Sequence, residues 1–169
     1  MPKQSRLPKT NGSARRRFRV GRSKTGLGLF ALQPIKRGDF IAYYTGRLIS
    51  NEEADKLWTK YLFEVNNRWT VDGSNRRNVA RYINHACRPN AETDVKKHKI
   101  IITATKTINP GDEITYNYGR DYFDTFIKPH GCLCLACKKK AAVKRAEARA
   151  AKQRKEKRAK SAKSRKKKS

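Results

Sequence analysis

No run of apolar residues in this 169-residue chain approaches the roughly 18 that a membrane span needs. The basic N-terminus is followed by no apolar stretch, so a secretory signal is not expected. Acid is scarce: 14 Asp and Glu stand against 42 Lys and Arg, a formal net charge of +28. Cysteine is scarcer, four in all, and three of them crowd into Cys132, Cys134 and Cys137. Thiols this close suit a metal in a reducing compartment better than a disulfide framework, so an intracellular protein is expected. No internal repeat is visible. Gly26-Leu27-Gly28 lacks the third glycine and the following helix of a dinucleotide fingerprint.

What is present is unevenly charged. Residues 1–19 hold seven Lys or Arg and no acid, and residues 138–169 hold seventeen with two acids. Residues 20–137 hold eighteen bases and twelve acids, the balance of an ordinary, mildly basic domain. That length can bury a modest core, roughly two-thirds of its unfolded surface. Residues 1–16 mix Pro, Gly, Ser and Arg without apolar periodicity and read as a disordered arm. Residues 138–160 favour helix by composition, but like-charge repulsion is expected to keep that helix frayed until an anionic partner screens it. Ser161 to Ser169 reads as low-complexity and disordered.

Short apolar runs dominate the middle. Phe18 to Gly21 and Leu29 to Leu32 flank a glycine-rich turn, Thr25 to Gly28, and Phe40 to Tyr44 is rich in β-formers. Ser50-Asn51-Glu52-Glu53 is a capping box that predicts a helix of two or three turns ending near Trp58. Leu62 to Val65 and Trp69 to Val71 flank Asn66-Asn67, a tight turn whose residues tolerate positive φ. Val95 and Ile100 to Ala104 predict a hairpin around Lys96 to Lys99, and Ile114 to Tyr118 a last short strand after the turn Asn109-Pro110-Gly111. The fold class is mainly β, with small sheets and one short helix.

Two segments carry chemistry. Arg81-Tyr82-Ile83-Asn84-His85-Ala86-Cys87-Arg88-Pro89-Asn90 resembles the Arg-Phe-Ile-Asn-His-Ser-Cys-x-Pro-Asn signature of SET-domain protein-lysine methyltransferases, with Tyr82 for Phe and Ala86 for Ser. Gly111 to Tyr118 resembles the same family's closing segment. The blander reading of Arg81–Asn90 is a loop with a buried, hydrogen-bonded His and Asn. The resemblance implies a SET fold of small sheets in which this segment threads under another loop as a pseudoknot, an exception to the usual rule against threading. It divides the chain into a basic arm (1–16), a SET domain (17–119), a post-SET zinc segment (120–138) and a basic tail (139–169).

The resemblance also implies site residues. S-adenosylmethionine would lie against Lys24, Gly26, Leu27, Gly28 and Leu29, where glycine lets backbone approach closely. Asn84 and His85 would hold its amino-acid end and adenine, with Arg81 and Tyr61 nearby. The reaction displaces a methyl group from a sulfonium with a neutral lysine amine. A free lysine has a pKa near 10.4, so an apolar channel and the adjacent positive charge must lower it. Tyr118 would orient that amine without adding a charge, and Tyr116 would limit space beside it, as in enzymes that stop at lower methylation states. Cys87 would join Cys132, Cys134 and Cys137 in a closed Cys₄ zinc site, with Tyr122 to Phe126 as an apolar lid. Asn78 fits an Asn that stands upstream of the signature. Tyr44-Thr45-Gly46 fits a Tyr-x-Gly, with Arg47 where Glu is common, and Asp72 fits a structural Asp.

The expected activity is methylation of a lysine on a histone or basic DNA-associated protein, including the chain's own tail. The expected location is nucleus and chromatin in a eukaryote, or cytoplasm and nucleoid in a bacterium. The basic ends predict DNA binding without sequence preference, since no base-reading element is evident. The rival class is a DNA-compacting protein whose SET-like domain is inactive. A zinc-knuckle RNA binder is disfavoured, because interleaved aromatics for base stacking are missing. The chain is expected to act as a monomer.

Overall fold

The computed structural model describes residues 16–166. Two strands, β1 (Phe18–Ser23) and β2 (Gly26–Ala31), form an antiparallel hairpin in register from Phe18↔Ala31 to Ser23↔Gly26. The turn is therefore Lys24-Thr25, and Gly26-Leu27-Gly28 is strand rather than the turn expected. Gly26 closes that turn with a positive φ of 115°.

Four strands and a helix follow: β3 (Phe40–Tyr44), β4 (Arg47–Ser50), α1 (Asn51–Ala54), β5 (Leu62–Glu64) and β6 (Trp69–Asp72). A 3-10 turn (Val79–Tyr82) leads into β7 (Asn84–His85), then β8 (Ala91–Lys96), β9 (Lys99–Ala104) and β10 (Thr115–Tyr116). They make sheets of order β3-β9-β8 and β4-β6-β5 and a two-stranded parallel pair of β7 with β10. The mainly β architecture of small sheets is the one expected. Along β9 the burial alternates, so Ile100, Ile102 and Ala104 face a core shared with Leu29, Ile41, Ile83, Ile108 and Ile114. Burying one such Leu or Ile side chain contributes roughly 1.5–3 kcal/mol.

Three local expectations are corrected. Ser50 Oγ accepts the Glu53 N–H at 3.2 Å, but the Glu53 carboxylate turns to Arg47 at 2.6 Å, so only half of the capping box forms. Helix α1 then stops after four residues and buries only Ala54; without a wider apolar face there is nothing to sustain the longer helix expected. At Asn66 the side-chain oxygen accepts the N–H groups of Arg68 (2.9 Å) and Trp69 (3.0 Å), which closes the turn without positive φ. Positive φ occurs instead at Lys97 (47°) and His98 (60°), the two-residue turn between β8 and β9.

The C-terminal part departs most. Helix α2 (Arg120–Tyr122) runs on into a π-helical turn (Phe123–Ile127) and a 3-10 turn (Lys128–His130). Helix α3 then spans Leu135–Lys166 without a break. The expected frayed and disordered tail is thus a continuous helix, and the boundary after residue 138 falls inside it. Each like-charge neighbour on a helix costs only a few tenths of a kcal/mol, while Ala, Lys, Arg and Glu are strong helix formers and the single nucleation cost is spread over 32 residues. The Lys138 N–H bonds the Cys134 carbonyl at 3.0 Å, anchoring the first turn. The expected disorder of residues 1–15 and 167–169 lies outside the described residues. Among the described residues no helix is long and apolar enough to cross a membrane.

Candidate active site and metal centre

The parallel pairing of β7 with β10 is the centre of the site. It places Asn84 beside Thr115 and His85 beside Tyr116, two segments about thirty residues apart in the chain. Asn90 fastens them: its Oδ1 accepts the Thr115 N–H at 2.8 Å and its Nδ2 donates to the Glu113 carbonyl at 2.9 Å. Asn84 Nδ2 donates to the Leu27 carbonyl (3.0 Å) and to Glu113 Oε1 (2.7 Å), tying β2 to the same junction. Gly28 is needed by that arrangement. A Cβ there would stand 2.5 Å from Glu113 Oε1, 2.9 Å from Ser23 Cβ and 3.2 Å from Asn84 Nδ2.

The Tyr118 N–H donates to His85 Nδ1 at 3.2 Å, so that nitrogen is an acceptor and burial holds the imidazole below its usual pKa. The Tyr118 hydroxyl donates to the Ile83 carbonyl at 2.7 Å. Ring contacts run from Tyr44 to Phe63 (5.5 Å), Tyr116 (6.3 Å), Tyr118 (4.9 Å), Tyr122 (5.0 Å) and Phe126 (4.8 Å), one aromatic wall. Burial pushes the Tyr44, Tyr116 and Tyr118 hydroxyls well above the ordinary range, so the wall carries no charge. The wall borders a cleft of about 810 Å³, inside the usual range for ligand sites.

Arg81 also lines the cleft, its guanidinium 3.7 Å from the centre of the Tyr61 ring. Its Nη1 donates to the Ser74 carbonyl, and the neighbouring guanidinium is the main cause holding the Tyr61 hydroxyl below its usual pKa. Its Nε is buried with no partner. An unpaired buried donor beside a cleft is what an absent polar ligand would complete.

Of the residues expected to bind a cofactor, Gly26, Leu27, Tyr61, Arg81, Asn84 and His85 line this cleft together with Tyr116 and Tyr118. Lys24 lies in the exposed hairpin turn, Leu29 is 1% exposed in the core, and Gly28 backs the Asn84–Glu113 contact, so none of these three lines it. Three residues given no site role from the sequence are structurally central. Glu113 receives Asn84, and Tyr44 holds the Tyr61 carbonyl through its hydroxyl at 2.8 Å. Asn78, 2% exposed, accepts the Thr45 N–H and donates to the Gly73 carbonyl. No spacing rule connects these partners; only the chain path does.

Cys87, just beyond β7, meets Cys132 at 3.8 Å and Cys137 at 3.5 Å, and the four sulfurs including Cys134 lie within 4.8 Å of one another. Tetrahedral zinc with bonds of about 2.3 Å sets its sulfurs about 3.8 Å apart, so this donor set fits the metal. Burial pushes the Cys87 thiol up. At Cys134 burial also raises the thiol, but backbone N–H groups of Cys87 and Cys137 and bonds from neighbouring thiols outweigh it and hold it at about 7.

A family model described as "SET domain" matches residues 26–119. Histone-lysine N-methyltransferase 2D of Homo sapiens is 35% identical over 127 residues, covering 68% of this chain and 2% of that protein. Histone-lysine N-methyltransferase set1 of Dictyostelium discoideum is 36% identical over 140 residues, covering 75% of this chain and 9% of that protein. Histone-lysine N-methyltransferase ASHH3 of Arabidopsis thaliana is 31% identical over 143 residues, covering 76% and 39%. The chain therefore spans well under half the length of these relatives. Among solved structures, a chain of the Chaetomium thermophilum polycomb repressive complex 2 (PRC2) superposes with a TM-score of 0.55 at 33% identity, over 62% of this chain and 15% of that one.

Proposed function

Because this chain belongs to the SET-domain family, we propose that it is a protein-lysine N-methyltransferase that methylates a lysine of a histone or another basic, DNA-associated protein. The observation that carries the reading is the β7·β10 junction, which gathers Asn84, His85 and Tyr118 at one cleft lined by uncharged aromatic rings. S-adenosylmethionine, when bound, supplies a methyl group on a positively charged sulfur. Asn84, His85 and the Gly26-Leu27 backbone would hold it, with Arg81 Nε and Tyr61 as its surroundings.

Tyr118 donates its hydroxyl proton to the Ile83 carbonyl, which leaves the oxygen's lone pairs to accept from a substrate amine. It thereby orients the amine without adding a charge, and correct orientation can contribute several kcal/mol of the barrier. The apolar wall disfavours ammonium over amine, so it lowers the substrate lysine's pKa and supplies the reactive form. Tyr116 narrows the space beside Tyr118, which favours the lower methylation states. The substrate peptide would run along the edge strand β5, adding a strand to the β4-β6-β5 sheet and facing Tyr122 and Phe126.

Cys87, Cys132, Cys134 and Cys137 would hold a structural zinc that keeps the 120–138 segment over the aromatic wall. The basic ends would hold DNA without sequence preference, as chromatin or nucleoid work requires. The test is transfer of labelled methyl from S-adenosylmethionine to purified histones, with Asn84→Ala as comparison. Transfer that Asn84→Ala lowers at least tenfold supports the reading. A chain that binds DNA but transfers nothing is a compaction protein instead.

A further inference from the structure

Helix α3 is basic on every side. Between Leu135 and Lys166 it carries 15 Lys or Arg and two acids. At 100° per residue, Lys138, Lys139, Lys140, Lys144 and Lys152 spread round the whole axis. Every residue from Lys138 to Arg158 is exposed except Ala141, so among the described residues no strand or helix of the domain covers this stretch. One weak internal ion pair is present among its described side chains, Lys152–Glu156 at 4.0 Å. At 1.5 Å per residue the 32 residues make a rod of about 48 Å.

Five kinds of partner differ in what they ask of that surface. A membrane surface needs an apolar face, and α3 has none. Single-stranded nucleic acid is gripped by aromatic stacking, and α3 contains no aromatic residue. A flat acidic protein would leave half of the cations facing solvent. The major groove of B-form DNA is about 12 Å wide, admits a helix of 10–12 Å and presents phosphates on both walls. Duplex RNA of A form has a groove too deep and narrow for the helix.

We propose that α3 docks as a rigid rod on double-stranded DNA, one stretch of it seated in the major groove where it crosses the duplex and the rest reaching the flanking phosphates, and that this docking positions the cleft for proteins bound to the same duplex. The coupling is covalent and short. Cys137 lies in the first turn of α3, while Cys132 and Cys134 of the same cluster line the cleft. The rod and the lid of the cleft therefore share one anchor, and DNA along the rod fixes where a substrate lysine can approach. This inference rests on the methyltransferase reading for its second half only; the docking itself does not.

The test uses the full chain, a B-form duplex of about 20 base pairs, longer than the rod's footprint, and fluorescence anisotropy. With roughly seven phosphate contacts, affinity should fall by about 10³–10⁵ between 50 and 200 mM salt. Replacing Lys144, Arg145, Arg149, Lys152, Arg154 and Lys155 together by Gln should weaken duplex binding by about 10²-fold or more and make the salt slope shallower by about 5. Ala150→Pro keeps every charge but breaks the rod, and should weaken binding about tenfold. Both variants should methylate a free basic protein as the parent does, yet lose any preference for that protein when it is bound to DNA. Binding unchanged within threefold in the Gln variant, or equal competition by polyglutamate or duplex RNA, overturns the docking. Equal methylation of free and DNA-bound protein by the parent overturns the positioning. If nothing is methylated while duplex binding behaves as stated, the methyltransferase reading fails and the docking stands.

Discussion

Removing one oxygen, by Tyr118→Phe, separates two roles of that residue. The Tyr118 hydroxyl is the donor to the Ile83 carbonyl at 2.7 Å, and Ile83 is 1% exposed. Its loss leaves a buried acceptor unpaired, which costs about 1–3 kcal/mol. In a domain with about a hundred ordered core residues, each kcal/mol lowers Tm by about 4 °C, so a fall of about 4–12 °C is expected by calorimetry. The ring itself keeps its contacts with Tyr116, Tyr122 and His85, so the fold and the cofactor affinity should be retained. Turnover should fall further than stability, because the amine then has no acceptor to orient it, and a misplacement of about 1 Å is worth roughly 10²-fold. The assay is single-turnover methyl transfer measured well below the variant's Tm. If the rate stays within threefold of the parent while Tm drops as stated, Tyr118 serves only the fold and the mechanism is wrong.

Other perturbations reach different parts of the site. Cys87→Ser should lower bound zinc to well below one per chain by metal analysis, since it removes the ligand that joins β7 to the C-terminal cluster, while the β core, which contains no cysteine, still folds. Gly28→Ala should destabilise by about 1–3 kcal/mol and weaken S-adenosylmethionine binding in calorimetry, because the new methyl displaces Glu113 and with it Asn84; unchanged binding would mean that Asn84 does not touch the cofactor. Lys97→Asn with His98→Gly should raise stability by about 1 kcal/mol in thermal unfolding, as both positions hold positive φ that Asn and Gly adopt more readily.

Much of the site is legible in the sequence. Asn84, His85, Tyr116 and Tyr118 stand in short motifs whose order is itself distinctive, and the structure brings them to one cleft. The three clustered cysteines announced a metal by crowding alone, and Cys87 joined them through the resemblance. The β9 strand and the β8–β9 hairpin followed from alternation, because a half-buried strand must repeat every two residues.

Other features needed the folded chain. Glu113 has no assigned role in the sequence motifs; its part exists only once Asn84, 29 residues earlier, lies within 2.7 Å. Asn78 is buried only because the segments around Thr45 and Gly73 close over it. Leu29 is expected beside the cofactor by resemblance, yet its side chain lies in the core at 1% exposed, packed in one cluster with Ile83 and Ile114. Helix α1 looked longer in sequence, since a capping box says where a helix begins and not what its far face will pack against.

Sequence by itself determined the local terms: charge, strand period, thiol spacing, and the helix propensity of the tail. Tertiary structure decided which distant groups became partners, and whether repulsion or propensity prevailed in α3. The reason is physical. Local terms act between near neighbours in the chain, whereas a buried hydrogen bond or a sulfur cluster exists only after the backbone has brought its members within about 3 to 4 Å.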